Sequence, residues 1–289
     1  MSETFQITPE QARAYEELFV PALFAQWAPM MADLANLRAG HRVLDVACGT
    51  GVAARAAADR VGGSGAVVGV DLNPAMLEVA RRIRPDIEWR QGDVSELPFP
   101  GESFDAVLCQ SALFFFPDLD QALAEMARVV RPGGVVVLQT YAVLTDQVAY
   151  QEFDALVRRI APGETLDLLD TYWSAGDLPG LTAALQRSGL VVVETRTTRG
   201  TVRYGTVENL VQTEIKGTPL AERLSQDQIE EILTESAAVL QPYVSAERGL
   251  ALPITAHLVA ARRPEEVAAS RPPGVTGARG PTGGSRSTC

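Results

Sequence analysis

Short apolar segments alternate with helix-like segments over the middle of the chain. Five predicted strands occupy residues 42–47, 66–71, 87–91, 104–110 and 135–141, and all but 87–91 are mainly apolar. Apolar runs of this length are typical of strands that are buried on both faces of a parallel sheet. Because strands that alternate with helices require crossover connections, the pattern predicts an α/β fold with a doubly wound, mostly parallel sheet. Ligands of such sheets bind at the carboxyl ends of the strands.

Capping residues predict where helices begin. Thr8 is followed by a proline and by Gln11, a combination that predicts a capped helix start. Asp118 precedes a later helical segment in the same way. Pro21 is expected to interrupt the first helix, because proline lacks the N–H that a helix interior needs. A second helical stretch is then expected over roughly 22–37.

After Tyr141 the regular alternation ends. Helical patterns near 147–160, 177–188, 206–216 and 225–241 accompany two further apolar segments, near 190–198 and 254–261. We expect these later helices to form a lid over the sheet.

These patterns divide the chain into three predicted parts. The parts are N-terminal helices (1–37) that belong to the lid, a main domain (38–263) with helical insertions around 142–189 and 200–250, and a tail (264–289). The tail is rich in Pro, Gly, Ser and Arg and is expected to be disordered, because it has almost nothing to bury.

Composition narrows the class of partner. The chain carries 36 Asp and Glu against 25 Lys and Arg, with a net charge of −11. A phosphate backbone needs a basic face, so nucleic acid is not expected as a partner. A polar, acidic N-terminus and the lack of a long apolar run predict neither a secretory signal nor a membrane span. Cys48, Cys109 and Cys289 are far apart, so no metal site or disulfide framework is expected, and we expect a cytoplasmic protein.

A glycine-rich turn follows the first predicted strand. Its sequence, DVACGTG, contains Asp45, Ala47, Gly49 and Gly51. Glycine permits a sharp turn and lets a ligand approach the main chain. The spacing also satisfies a relaxed dinucleotide fingerprint, so the glycines alone do not choose between cofactors.

Acidic residues also follow the next two strands. Asp71 ends the second strand, where a carboxylate can accept both hydroxyls of a ribose, in NAD or in an adenosyl donor. Asp93 follows the third strand, where an acid can accept a hydrogen bond from an adenine amine. Asp71 is equally well placed to cap a helix, and Asp93 to be a solvated turn residue.

Taken in order, these features resemble the class I S-adenosylmethionine-dependent methyltransferases. Within that class they resemble the ubiquinone/menaquinone-biosynthesis methyltransferase-like group, also called methyltransferase type 11. The matching segments are VLDVACGTG, VGVDLNPAML, GDVSELPFPGESFDAV and RVVRPGG. The resemblance implies a Rossmann-like, seven-stranded sheet in which a late strand runs antiparallel beside the fifth. It also implies S-adenosylmethionine as cofactor and a small molecule as methyl acceptor.

The resemblance further implies how the donor is held. Asp45, Ala47, Gly49 and Gly51 would line its methionine part, and Gln110 would contact the methionine end. Asp71 would hold the ribose, with Leu72 and Met76 near the adenine, while Asp93 and Val94 would meet the adenine edge. The donor is a sulfonium cation without phosphates, so three carboxylates, Asp45, Asp71 and Asp93, suit it better than they suit a pyrophosphate.

Methyl transfer needs positioning more than a dedicated catalytic residue, and the sequence names no catalytic residue. Candidates for a base are Tyr15, Tyr141, Glu214 and the two histidines, His41 and His257, although a histidine within a strand is more often structural. Aromatic residues that could wall an apolar acceptor pocket are Tyr15, Phe19, Phe24, Trp27, Phe114, Phe115, Phe116, Tyr172 and Trp173. If several line one cavity, the acceptor is apolar or aromatic.

Three other functions remain open from the sequence. A non-catalytic donor-binding or scaffold module would keep the same motifs. A nicotinamide-dependent oxidoreductase is permitted by the first turn and Asp71 but fits Asp45 and RVVRPGG poorly. A nucleic-acid methyltransferase fits neither the charge nor the residues after the fourth strand.

Overall fold

The computed structural model describes residues 7–162, 171–216, 223–247 and 249–265. Its strands are β1 (Arg42–Val46), β2 (Ala66–Asp71), β3 (Glu88–Gln91), β4 (Phe104–Gln110), β5 (Val130–Tyr141), β6 (Val191–Tyr204), β7 (Val244–Ser245) and β8 (Gly249–Arg262). The sheet order is β3-β2-β1-β4-β5-β8-β6, and β7 pairs with β8. The first five strands are parallel, and β8 runs antiparallel between β5 and β6. The predicted Rossmann-like α/β fold, with its antiparallel strand beside the fifth, is confirmed.

Helices cover both faces of this sheet and its carboxyl edge. They are α1 (Pro9–Ala14), α2 (Ala28–Leu34), α3 (Val52–Val61), α4 (Pro74–Ile83), α5 (Leu119–Val129), α6 (Val148–Ile160), α7 (Leu178–Arg187), α8 (Val207–Val211) and α9 (Gln226–Val239). Two π-helical segments occupy Tyr15–Phe24 and Gln212–Lys216. The predicted caps form as expected: the side chains of Thr8 and Asp118 accept from backbone N–H groups three residues onward.

Four local predictions require correction. Pro21 does not interrupt the first helical region, because the chain adopts π-helical geometry from Tyr15 to Phe24 and carries Pro21 inside it. The helix expected over 22–37 is consequently shorter and is Ala28–Leu34. The last two long strands are longer than the strands predicted near 190–198 and 254–261. β6 and β8 pair with each other over their whole length and project beyond the parallel strands. The two-residue β7 is an eighth strand, too short to leave a sequence pattern.

The division of the chain into parts stays a prediction. Its tail, 264–289, falls almost wholly outside the described residues. In the portions of the chain that the structure describes, no helix is long and apolar enough to cross a membrane.

Side chains of the central strands alternate between two cores. Leu44 and Val107 face a core shared with α5 and α7, whereas Val43 and Leu108 face one shared with α2, α3 and α4. This alternation follows from the two-residue repeat of a strand that is buried on both faces.

A third apolar cluster lies beyond the carboxyl edge of the parallel strands, and we call it the cap. It is built from the first π-helix, α6, α8, α9 and the projecting parts of β6 and β8. The expected helical lid is therefore a packed layer with its own core.

The first π-helix is fixed to the open edge of the sheet by Gln26. Its Nε2 donates to the carbonyl oxygens of Leu23 (2.7 Å) and Thr201 (3.1 Å), and its Oε1 accepts from the N–H of Thr201 at 2.9 Å. Because β6 is an edge strand, this side chain satisfies backbone groups that have no strand neighbour on that side. Gly200 permits the approach, since a Cβ there would lie 2.3 Å from the Trp27 ring.

We expect Gln26→Ala to lower the free energy of unfolding by about 1–3 kcal/mol, because two backbone groups of Thr201 lose their partner. Urea unfolding followed by circular dichroism measures the change. Gln186→Ala, at an exposed position of α7, provides the matched control and should change stability by less than about 0.5 kcal/mol. Equal effects of the two substitutions would contradict this role of Gln26.

Candidate active site

The turn after β1 uses left-handed backbone at three positions. The φ angles are +53° at Ala47, +53° at Gly49 and +89° at Gly51. At Gly51 a Cβ would also lie 2.2 Å from Cη2 of Trp89, so both conformation and space require glycine there. The glycine-rich motif is therefore explained partly by packing against β3.

Asp45 lies beneath this turn. Its side chain is buried, and Oδ2 accepts from the N–H of Ala54 at 2.8 Å, which ties β1 to the first turn of α3. Burial raises the pKa of Asp45 to about 7, and the nearby charge of Asp71 adds to the rise. In the structure Asp45 organises the turn from below, and its predicted contact with the donor stays a prediction.

Asp71 joins the turns that follow β1 and β2. Its Oδ2 accepts from the N–H of Gly49 at 2.8 Å, and its Oδ1 accepts from the N–H of Asn73 at 2.8 Å. Each carboxylate oxygen retains a lone pair for a further donor such as a ribose hydroxyl. Burial raises the pKa of Asp71, and the two backbone N–H groups oppose that rise.

The predicted adenine contacts lie on the same edge. Leu72 is 48% exposed, while Met76 packs with Ala12 and Val79 in a small apolar cluster under α1. Leu72 directly follows Asp71, and Met76 lies in the first turn of α4; their predicted contact with the adenine stays a prediction.

Asp93 and Val94 follow β3, the next strand of the sheet. Asp93 is exposed, and its Oδ1 accepts from both the N–H and the Oγ–H of Ser95 at 2.8 Å. Val94 packs against one of the sheet cores. The structure thus holds Asp93 in its own turn, whereas the charge of Asp71 helps to raise the pKa of Asp45. Convergence of all three carboxylates on one ligand stays a prediction.

Gln110 ends β4 and connects this edge to the cap. Its Nε2 donates to the carbonyl oxygen of Phe24 at 3.0 Å. Its Oε1 is buried and has no hydrogen-bond partner within the described part of the chain. A buried, unpaired acceptor is costly and is expected to receive a ligand donor.

Tyr15 covers the glycine turn. A Cβ on Gly49 would lie 3.8 Å from Cε1 and from the hydroxyl oxygen of Tyr15, and the ring of Tyr15 stacks on Phe24 at 5.2 Å. Burial raises the pKa of Tyr15 well above its usual range, and the charge of Asp71 contributes. Tyr15 therefore lies at the edge where the donor is predicted to bind. From the sequence alone, Tyr15 was expected to face the methyl acceptor.

Beside this edge, within the cap, lies a small aromatic cavity of about 40 Å³. Its lining consists of Phe19, Leu23, Phe24, Tyr141, Tyr150, Tyr172, Trp173, Glu214 and Ile254. The prediction that several aromatic residues wall one cavity holds for Phe19, Phe24, Tyr172 and Trp173.

Phe114 lies behind the cavity wall, with its ring centroid 5.4 Å from that of Tyr172, and three other aromatic candidates lie elsewhere. Trp27 is packed in the cap core, Phe115 is 49% exposed, and Phe116 packs against a sheet core. Tyr150 also lines the cavity, but the sequence analysis did not identify it. Its spacing from Phe153 on α6 is that of an ordinary buried helix face, so the sequence offered no signal for a site.

Glu214 is the carboxylate of this cavity. Glu214 lies on the second π-helix and is only 8% exposed. Burial raises the pKa of its carboxyl to about 7. Among the candidate bases, His257 is engaged in the sheet, where its Nδ1 lies 2.9 Å from Oγ1 of Thr197. Cys48 and Cys109 are buried and free, as expected of small core residues.

The raised pKa values predict how stability depends on pH. The carboxyls of Asp45 and Glu214 keep their protons to about pH 7 when folded but lose them near 3.8 and 4.5 in the unfolded chain. The folded state then binds more protons in this window, so stability falls as the pH rises through it. His257 acts in the opposite sense, because burial lowers its pKa from 6.5.

We therefore expect the melting temperature of the ligand-free protein to fall between about pH 5 and pH 7. Asp45→Asn and Glu214→Gln should each flatten this dependence, since an amide does not titrate. Differential scanning calorimetry across the pH range measures the effect. A melting temperature that rises over this interval in all three proteins would contradict the assignment.

Comparison with known proteins shows what the central part of the chain is similar to. Residues 44–138 match a family model described as a methyltransferase domain. Over 134 residues the chain is 39% identical to a ubiquinone/menaquinone biosynthesis C-methyltransferase of Hahella chejuensis, covering 44% of this chain and 54% of that protein. Over 118 residues it is 41% identical to a demethylmenaquinone methyltransferase of Renibacterium salmoninarum, covering 40% and 48%.

Comparison with solved structures shows a shared fold. The YcgJ protein of Bacillus subtilis superposes with a TM-score of 0.58 at 22% identity, covering 83% of this chain and 99% of that one. The chain spans about half the length of the two curated relatives. The resemblance inferred from the sequence is confirmed: residues 44–138 match the methyltransferase domain, and this part of the chain is similar to the ubiquinone/menaquinone-biosynthesis methyltransferases.

Proposed function

We propose that this protein transfers a methyl group from S-adenosylmethionine to a small, apolar or aromatic acceptor that binds in the aromatic cavity. The observation that carries the proposal is the position of Phe24. Its carbonyl oxygen accepts from Gln110 at the sheet edge, and its ring lines the cavity. The edge that matches the donor-binding motif and the cavity therefore share one wall.

The residues at the edge fit the donor chemically. Asp71 offers two carboxylate oxygens for the ribose hydroxyls, and the unpaired Oε1 of Gln110 suits the ammonium group of the methionine end. Ala47, Gly49 and Gly51 supply main chain that a ligand can approach, while Leu72, Met76, Asp93 and Val94 form the expected adenine side. Buried carboxylates nearby also favour a sulfonium cation over an anionic cofactor.

The protein's part in the reaction is positioning and exclusion of water. When bound, the donor supplies an electrophilic methyl group whose thioether leaving group needs no protonation. The ring of Tyr15 lies over Gly49 and stacks on Phe24, which limits the access of water to the turn. Holding the nucleophile and the methyl group in line contributes roughly 7–11 kcal/mol to catalysis in well-oriented systems.

The lining of the cavity, and not its volume of about 40 Å³, supports the class of acceptor, because the wall has to move to admit a ring. Aromatic and aliphatic side chains form most of its wall, which suits an apolar or ring-shaped molecule. One of the two relatives is named a ubiquinone/menaquinone biosynthesis C-methyltransferase and the other a demethylmenaquinone methyltransferase, and a ring-shaped acceptor would suit this wall.

Titration calorimetry of the protein with S-adenosylmethionine and S-adenosylhomocysteine tests the proposal. We expect binding of both, followed by conversion of the former to the latter when an acceptor panel of hydroxylated and amino-substituted ring compounds is supplied. Failure of both ligands to bind would refute the proposal. Binding without turnover on any acceptor would support a non-catalytic module instead.

A further inference from the structure

The size of the aromatic cavity limits what it receives in the form that the structure describes. Its volume of about 40 Å³ is roughly three times the 10–15 Å³ that one water molecule requires. A group of about two to four non-hydrogen atoms therefore fits without movement of the wall, whereas a ring does not. The cavity as it stands suits the head group of a ligand.

Six aromatic rings form most of the wall, and they come from four parts of the chain. They are Phe19 and Phe24 of the first π-helix, Tyr141 of β5, Tyr150 of α6, and Tyr172 and Trp173 before α7. The ring of Trp173 is inclined by 66° to that of Tyr141 and by 62° to that of Tyr150, at centroid distances of 6.0 and 5.1 Å. Rings inclined in this way enclose a space from several sides, as the walls of a box do.

The electrostatics of this wall favour a cation. The face of an aromatic ring carries partial negative charge and attracts a cation that lies over it. Sites built from several rings recognise quaternary and methylated ammonium groups in this way. Among the described residues that line the cavity there is no Arg, Lys or His, and the one acid, Glu214, can add only negative charge. A cationic head group therefore meets no repulsive group in this lining.

Elsewhere the chain supplies its own cation to a ring. The guanidinium carbon of Arg42 lies 5.2 Å from the ring centroid of Phe104, and that of Arg90 lies 5.1 Å from the centroid of Phe99. Within the described part of the chain, none of the six rings of the cavity has an arginine or lysine over it in this way. The largest group of ring faces is thus left for a cation from outside the chain.

We propose that the aromatic cavity binds a small organic cation, and that the methyl acceptor is an aliphatic amine whose nitrogen enters it. The inference rests on the proposed function and specifies which part of the acceptor the cavity receives. In the step, the lone pair of the nitrogen forms a bond to the methyl carbon, the carbon–sulfur bond breaks, and its electron pair stays on sulfur. The positive charge passes from sulfur to nitrogen, so no proton has to leave during the transfer. Ring faces around the nitrogen stabilise the charge that develops on it.

Three small probes that differ in charge test this inference by ligand-observed NMR titration at neutral pH and constant ionic strength. They are ethylammonium, ethanol and acetate, and each is small enough to enter the cavity as it stands. We expect ethylammonium to bind at least about fivefold more tightly than ethanol, because the neutral molecule makes no cation–π contact. Acetate should bind more weakly than either, since ring faces and a carboxyl group line the cavity.

Phe19→Leu and Tyr172→Leu each remove one ring from the wall and keep an apolar side chain there. Each should lower the preference for ethylammonium over ethanol by about two- to fivefold, which is the contribution of one ring face. Phe116→Leu is the matched control, because Phe116 packs against a sheet core and does not line the cavity. This control should keep the full preference. A merely structural role of the two rings would weaken the binding of both probes alike and leave the preference unchanged.

The inference is overturned if ethanol or acetate binds as tightly as ethylammonium, if no probe binds, or if neither ring variant lowers the preference. Circular dichroism establishes that each variant is folded. S-adenosylhomocysteine is titrated into the wild-type protein in parallel. Absence of that binding would refute the proposed function, whereas the probe titrations contain no donor and judge the cavity separately.

Discussion

Asp71→Asn is expected to weaken the binding of S-adenosylhomocysteine by about a hundredfold or more, which corresponds to roughly 3 kcal/mol. The carboxylate accepts from the N–H groups of Gly49 and Asn73 at 2.8 Å and has further lone pairs for two ribose hydroxyls. An amide would point an NH₂ group at one of these backbone donors. The substitution therefore removes ligand acceptors and loosens the glycine turn together.

Titration calorimetry measures this change, with circular dichroism to establish that the variant is folded. Asp59→Asn is the matched control, because Asp59 is a largely exposed carboxylate near the end of the adjacent helix α3. The control should bind the ligand like the wild-type protein. A loss of less than about threefold in Asp71→Asn would contradict the role of Asp71 in holding the donor.

Gly51→Ala is expected to lower the free energy of unfolding by about 3–5 kcal/mol or to prevent folding. The new Cβ would lie 2.2 Å from Cη2 of Trp89, at a φ of +89°. The indole cannot move away easily, because its Nε1 donates to the carbonyl oxygen of Arg84 at 2.9 Å. Urea unfolding measures the loss.

Gly189→Ala separates the two causes. Gly189 has a φ of +84°, and a Cβ there would meet nothing within 4 Å. This control should show only the conformational cost, about 1–2 kcal/mol. A second test is the double variant of Gly51→Ala with Trp89→Phe, whose smaller ring lacks the clashing atoms. The double variant should be more stable than the sum of the two single effects predicts. Equal losses at Gly51 and Gly189 would show that Trp89 does not matter.

The order of elements could be predicted from the sequence because each signal is local. Asp118 accepts from the N–H of Gln121 at its own helix start, and the apolar run of β4 is buried wherever the strand lies in the sheet. The resemblance to methyltransferases could be seen for a similar reason, since the glycine turn and RVVRPGG are each a single run of consecutive residues. Neither signal requires knowledge of distant neighbours.

Pro21 and Gln26 show where local signals fail. Proline usually ends a helix, but the π-helical geometry of Tyr15–Phe24 accommodates it while this segment packs in the cap. Gln26 looks like an ordinary polar residue of a helix, yet it satisfies Thr201, which lies 175 positions later in the chain. Its role depends on β6 being the open edge of the sheet, and no pattern near Gln26 encodes that fact.

By itself, the sequence determined the α/β fold, the methyltransferase family and the strand ends at which a donor is expected. The tertiary structure decided that Asp45 lies under the turn, that Tyr15 covers Gly49 and that Glu214 shares a cavity with Phe24. The physical reason is that turns and caps form from neighbouring residues, whereas a cavity forms only when helices far apart in the chain pack against one another.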